Sequence, residues 1–221
     1  MRAALRNALR ATRRGKSIDA YLRAHDVPKL QLGAAENIRT GWLNTDLHGY
    51  GRGDELVYLD ARKPFPLPDA AFDFAFSEHM LEHLTFAEGQ TCLRECLRVL
   101  RPGGVIRIAT PSLERLAALY APQPSELQRR YVSWAVGTLA PESDAELPGV
   151  VVNNFFHSWG HRFVYDPQTL RHALNEAGFV DVEERRVGES SHPELAGLER
   201  HLAEQPELNE YETFVLEARR P

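Results

Sequence analysis

The chain has 221 residues, 43% of them hydrophobic and 26% charged, with a formal net charge of -5. That length supports one well-buried core with an insertion or appendage, and no apolar run approaches the roughly 18 residues needed to cross a bilayer. The N-terminus lacks the apolar stretch of about 7 to 15 residues that marks a secretory signal, so a cytoplasmic location is expected. Charge is uneven: Arg2, Arg6, Arg10, Arg13, Arg14, Lys16, Arg23 and Lys29 against Asp19 and Asp26 make residues 1–30 a +6 segment, leaving -11 on the rest. Residues 1–27 are set apart as a basic helical arm, with Met1, Leu5, Ala8, Leu9 and Thr12 on one helical side and arginines on another. Weak peripheral contact of residues 1–16 with an anionic membrane is one reading. A terminal helix packed on its own domain, with solvated arginines, is preferred.

From residue 28 onward the pattern alternates strand and helix, as in a wound sheet. Lys29 to Leu32, Trp42 to Asp46 and Glu55 to Asp60 read as strands, the last two ending in aspartate. Phe72 to Ser77 and Val105 to Thr110 are nearly continuous apolar runs, as expected of strands buried on both faces. Phe86 to Leu100 carries a helical stripe that includes Cys92 and Cys96, read as core thiols, and stops at Arg101-Pro102-Gly103-Gly104, which should turn the chain. Residues 121–160, with four prolines and an acidic patch at Glu142, Asp144 and Glu146, read as an insertion that is helical around Glu126 to Val136. Asp166-Pro167 and Gly178 cap one further helix at its two ends. Phe179 to Val187 and Glu212 to Arg219 close the chain as strands, the second alternating apolar Phe214, Leu216 and Ala218 with polar positions.

Open α/β sheets bind ligands beyond the carboxyl ends of their strands, so the loops there carry the chemistry. Gly33, Ala34 and Ala35 follow the first strand; small residues let backbone amides approach a ligand. Asp46 ends the second strand, where a carboxylate accepts hydrogen bonds from adjacent ribose hydroxyls, and Asp60 or the Ala61 amide, after the third, could meet an adenine edge. Either aspartate alone is equally well a turn residue; in succession they suggest a nucleoside pocket. Ser77, Glu78 and His79 follow the fourth strand at the same edge. His79 and His83 have the spacing of a helical zinc pair, but no third ligand is identifiable and no metal site is assigned. Histidine titrates near neutral pH, which makes His79 and His161 the catalytic candidates. His161 lies in the aromatic stretch from Asn153 to Tyr165, which suits a substrate wall or an anchor of the insertion equally.

Lys29-Leu-Gln-Leu-Gly-Ala-Ala35, Gly41-Trp-Leu-Asn-Thr-Asp46, Phe65-Pro-Leu-Pro-Asp-Ala-Ala-Phe-Asp73, Glu78-His-Met-Leu-Glu-His83 and Arg98-Val-Leu-Arg-Pro-Gly-Gly104 resemble class I S-adenosylmethionine-dependent methyltransferases. The bacterial branch of predicted enzymes of that kind, of the methyltransferase type 11 sort, is the most similar. The resemblance extends over residues 28–221 and implies a Rossmann-like, doubly wound α/β fold with a mostly parallel seven-stranded sheet and an antiparallel C-terminal strand. It implies S-adenosyl-L-methionine as cofactor, with Gly33, Ala34 and Ala35 beside its methionine part, Asp46 on the ribose, Asp60 and Ala61 at the adenine, and Ser77 to His79 on its other side. The chain departs from the pattern twice. Ala35 stands where relatives carry glycine, so its methyl group crowds the cofactor or sits at a strained φ. Only nine residues separate Leu32 from Trp42, which should cut the first crossover helix to about a turn.

The expected activity is methyl transfer to a small-molecule acceptor, with a sugar or lipid-linked glycan preferred. A cofactor-free binding or scaffold protein of the same fold is the alternative. A nucleic-acid methyltransferase would use the basic arm, but the acidic body argues against a nucleic-acid partner. The sequence does not specify an oligomeric state.

Overall fold

The computed structural model describes residues 14–49, 55–143 and 145–221. The apolar stripe of the basic arm and Asp144 lie outside the described residues. A helix α1, seen from 14 to 24, packs Ile18 into the core and rests Tyr21 and Leu22 against it. The Tyr21 hydroxyl accepts from Lys29 N at 2.8 Å and lies within donating reach of the Lys29 and Gly41 carbonyls, which fixes this helix on the sheet.

The strands are β1 (Lys29–Leu32), β2 (Leu43–Asp46), β3 (Val57–Tyr58), β4 (Phe72–Glu78), β5 (Leu100–Pro111), β6 (Val180–Arg185) and β7 (Thr213–Arg219). They form one seven-stranded sheet in the order β3-β2-β1-β4-β5-β7-β6. The first five are mutually parallel, and β7 runs antiparallel between β5 and β6. The expected architecture is present, including the antiparallel C-terminal strand. Helix α2 (Phe86–Val99) begins at a reciprocal capping box between Thr85 and Glu88, which satisfies end amides that have no partner within the helix. Its stripe buries Cys92, Leu93, Cys96 and Val99, so both thiols are core. Helix α6 (Pro167–Ala177) starts on the Asp166 side chain and ends at Gly178 with φ 105°, as the two expected caps require. Both helices cover one face of the sheet with Leu30, Leu32, Ile106, Ile108 and Leu216.

The other face is covered mostly by loops. Trp42, Phe76 and Val105 pack there against Leu195 and Leu198. The link between β1 and β2 contains turns and no helix. Side chains hold it instead: Arg39 N donates to Asn44 Oδ1 at 2.9 Å, and Asn44 Nδ2 donates back to the Arg39 carbonyl at 3.0 Å. With that staple, nine residues suffice for a parallel crossover. Charge also enters the second face. Arg107, in the middle of an apparently apolar strand, is fully buried and bonds Glu199 at 2.6 Å and Glu217 at 2.7 Å. The alternating polar side of β7 is therefore interior, since Glu217 faces this ion pair and not water.

Two further local expectations change. The Arg101 to Gly104 segment belongs to the β5 ladder, and the turn is confined to a register break between Phe72 and Phe74 of the partner strand and Gly103 at φ 81°. Residues 77–84 hold no regular helix; His79 sits at φ 46° and a single 3₁₀ turn spans Leu81–His83. Residues 121–160 contain α4 (Glu126–Leu139) and α5 (Pro148–His157). These pack with α3 (Leu113–Ala118) and α7 (Pro206–Glu212) around Leu116, Tyr131, Val136, Phe155 and Leu208. This second core makes a helical layer beyond the carboxyl ends of β4 and β5.

Candidate functional site

The carboxyl ends of β1, β2 and β4 meet in a compact set of loops. Gly33 adopts φ +64°, and a Cβ there would lie 2.4 Å from Met80 Cγ. Glycine is required because the chain leaving β4 crosses directly over it. Ala34 is buried and donates to the Thr45 carbonyl at 3.0 Å. Ala35 carries a positive φ of 46°, the strained form of the two anticipated, and its amide donates to Asp46 Oδ2 at 3.0 Å. Asp46 Oδ1 accepts from His48 N at 2.8 Å. Each carboxylate oxygen has two acceptor positions, and among the described residues these two bonds, one per oxygen, orient Asp46. Asp46 is 9% exposed.

Asp60 is held differently. Arg62 grips it with Nε at 2.7 Å and Nη2 at 3.0 Å, and Lys63 Nζ lies 3.2 Å away. The Arg62 hydrogen bonds pull its carboxyl down to about 2. Ala61 follows it, packed at the margin of the core. Ser77 is buried with an unpartnered Oγ. The Glu78 carboxylate accepts from Arg200 N at 2.6 Å and His201 N at 2.8 Å and faces Arg39 at 3.6 Å. That side chain fastens the loop before α7.

Beyond β4 lies a polar cluster that local sequence patterns could not reveal. His79 Nε2 bonds the Thr213 hydroxyl at 2.8 Å, and its Nδ1 faces Glu82 Oε1 at 3.7 Å and Glu212 Oε1 at 3.9 Å. Its ring stacks on His201, with centroids 3.8 Å apart, and His201 Nε2 lies 3.1 Å from Glu212 Oε1. Burial, followed by the neighbouring histidines, holds His79 well below the usual imidazole range. Complete burial pushes Glu82 up to about 7. His83 and His161 form a separate edge-to-face pair with centroids 4.9 Å apart. His161 Nδ1 lies 2.8 Å from the Phe155 carbonyl, which fixes that nitrogen as the donor and leaves Nε2 as an acceptor. Burial and His83 lower the affinity of His161 for a proton. His79 and His83 therefore do not act as a pair. In the aromatic stretch Phe155 is a core anchor, while Trp159 is 45% exposed beside His161.

The sheet order, with an antiparallel β7 inserted between β5 and β6, combines with one family match: residues 35–108 match the model of a methyltransferase domain. That third of the chain is similar to a methyltransferase domain, and the sheet around it is the Rossmann-like sheet of such proteins. The matched segment begins in the Ala35 loop and ends in β5, so it contains Asp46, Asp60 and the His79 to His83 turn. A probable S-adenosylmethionine-dependent methyltransferase of Mycolicibacterium smegmatis is 45% identical over 47 residues, which is 21% of this chain and 18% of that protein. The chain therefore spans under a fifth of that curated relative. Two solved structures share the fold across nearly the whole chain. An S-adenosylmethionine-dependent methyltransferase from Archaeoglobus fulgidus has 18% identity and a TM-score of 0.53, covering 97% of this chain and 94% of its own. One from Mesorhizobium loti has 18% identity and a TM-score of 0.54, covering 92% and 98%. No helix among the described residues is long and apolar enough to cross a membrane.

Proposed function

We propose that this domain transfers a methyl group from S-adenosylmethionine to a hydroxyl or amine of a small molecule, with a sugar or lipid-linked glycan as the preferred acceptor. The observation that carries the reading is Asp46: a carboxylate at the end of β2, oriented by the Ala35 and His48 amides, with one acceptor position per oxygen left for a ribose diol. Gly33 to Ala35 then flank the methionine part, Asp60 and Ala61 lie on the adenine side, and Ser77 to His79 close the remaining edge. The residues fit the cofactor because, among the described residues, two of the four Asp46 acceptor positions are taken, one on each oxygen. When bound, the cofactor supplies an electrophilic methyl on a sulfonium, which departs as a thioether.

The acceptor belongs between this edge and the helical layer, where Trp159 offers an apolar ring and His161 an unprotonated Nε2. His161 takes the proton of the attacking hydroxyl or amine as the new bond to carbon forms, which is general-base catalysis worth about 10²–10⁴ in rate. His79, whose ring nitrogens face Thr213 and two carboxylates, acts as a positioning residue. The test uses methyl-labelled S-adenosylmethionine with a panel of sugars and lipid-linked glycans. Label should enter one acceptor class, and His161→Ala should lower kcat about 10²-fold or more with cofactor affinity retained. Absence of transfer to any hydroxyl or amine acceptor by a cofactor-loaded protein would refute the acceptor assignment.

A further inference from the structure

Three potential ligand atoms, from His79, His201 and Glu212, converge where β4 and α7 meet, and Glu82 Oε1 on the 3₁₀ turn lies beside His79. His79 Nδ1 lies 3.7 Å from Glu82 Oε1 and 3.9 Å from Glu212 Oε1, and His201 Nε2 lies 3.1 Å from Glu212 Oε1. The ligating atoms of His79, His201 and Glu212 all fall within 4.8 Å of one another. Ligands about 2.1 Å from a common ion are separated by roughly 3.0–3.6 Å at ordinary coordination angles. An ion here requires the His79 and His201 rings to turn out of their stack and the set to close from a spread of up to 4.8 Å.

Three features around these atoms match those of ligands held for an ion. The outer atom of each buried ligand is anchored: Thr213 holds His79 Nε2 at 2.8 Å, Thr110 donates to Glu82 Oε2 at 3.0 Å, and Tyr131 donates to Glu212 Oε2 at 2.6 Å. Such outer hydrogen bonds fix the orientation of metal-bound imidazoles and carboxylates. Next, Glu82 Oε1 is buried with no hydrogen-bond partner, and a buried carboxylate oxygen left in this way is costly. Finally, among the described residues no lysine or arginine pairs with Glu82 or Glu212; their ion-pair partners are the two histidines alone.

We propose that His79, Glu82, His201 and Glu212 bind one divalent transition-metal ion of the zinc class. Two imidazoles among four ligands favour such a metal over magnesium or calcium, which take oxygen ligands. His201, with 35% of its side chain exposed, is the ligand through which the ion enters. Once bound, the ion pins α7 and the loop before it to the end of β4. It also replaces the imidazole stacking of His79 on His201 with a shared coordination bond. The site is argued from these four side chains and does not depend on the methyl-transfer reading.

The experiment uses the tag-free full chain, stripped with a chelator and titrated with Co²⁺ as a spectroscopic probe and Zn²⁺ by calorimetry. One ion per chain is expected, with visible Co²⁺ absorption bands of a low-coordinate site. At Zn²⁺ 100 times its Kd, the ratio of folded to unfolded chain should rise about 100-fold. His201→Ala and Glu212→Gln should abolish the bands, and Tyr131→Phe, which leaves all four ligands in place, should weaken Zn²⁺ about 10–100-fold. His161→Ala should leave binding unchanged, which separates this site from the neighbouring Glu82, His83 and His161 group. Failure of either ion to bind at submillimolar concentration, or binding lost in His161→Ala but kept in His201→Ala, would overturn the proposal. S-adenosylhomocysteine binding, measured on the same samples, reports on the cofactor site separately.

Discussion

Replacing Gly33 by alanine tests the shape of the loop after β1 at its tightest point. The new Cβ would lie 2.4 Å from Met80 Cγ and 2.6 Å from Met80 Cβ, on a backbone at φ +64°. The left-handed conformation costs an alanine roughly 1–2 kcal/mol, and Ala35 already occupies that region at φ 46°, so this part of the penalty is tolerable. Overpacking against Met80 adds about 1–3 kcal/mol, giving a total of about 2–5 kcal/mol. Urea unfolding of Gly33→Ala, Met80→Ala and the double variant measures it as a thermodynamic cycle. Met80→Ala removes the Cγ contact and keeps the Cβ contact, so a favourable coupling of about 1 kcal/mol is expected, with incomplete rescue. A Gly33→Ala variant within about 0.5 kcal/mol of the parent protein, or a cycle with no coupling, would refute the claim that Met80 dictates glycine here.

Arg107→Leu should cost about 3–5 kcal/mol in urea unfolding, because it strands the Glu199 carboxylate in the interior without a cation and leaves Glu217 only Arg185; a loss under about 1 kcal/mol would contradict the buried ion pair. Asp60 has its folded pKa depressed to about 2, against ~3.9 unfolded. Its contribution is therefore fully present above about pH 4 and disappears as pH falls through about 2. With Arg62 and Lys63 41% and 70% exposed, Asp60→Asn should cost about 1 kcal/mol near neutral pH, and a gap that persists under strong acid would count against the pairing. Tyr165→Phe removes a buried hydroxyl that has no partner and should raise stability by about 1 kcal/mol. It should also soften a Gly89→Ala substitution, whose Cβ would meet that hydroxyl at 2.6 Å; destabilisation by Tyr165→Phe would show that the hydroxyl is satisfied.

Local chemistry announced the elements whose signals are local. The Asp166 cap, the Gly178 stop and the alternation from Lys29 to Thr110 gave the sheet and the two helices that cover it. The aspartates closing the second and third strands were legible for the same reason, since they end hydrophobic runs. What was hidden depends on distance along the chain. Arg107 interrupts an apolar strand and reads as an anomaly until Glu199 and Glu217 reach it from the far end of the sequence. The covering of one sheet face by residues 186–200 could not be seen, because a loop has no periodicity to betray its buried side. His201 and Glu212 carry no motif, and only the antiparallel return of β7 brings them beside His79 and Glu82. His79 and His83 fall into different side-chain clusters, the first with His201 and Glu212 and the second with Glu82 and His161.

The account depends most on Asp46 as the grip on the nucleoside sugar. Calorimetric titration of the full chain with S-adenosylhomocysteine, alongside Asp46→Ala, tests this directly. We predict one saturable site whose affinity falls about 10-fold or more in the variant, the loss of roughly 1.5–3 kcal/mol expected for charge-assisted hydrogen bonds. Equal affinity in both proteins, or no heat of binding at millimolar ligand, would contradict it.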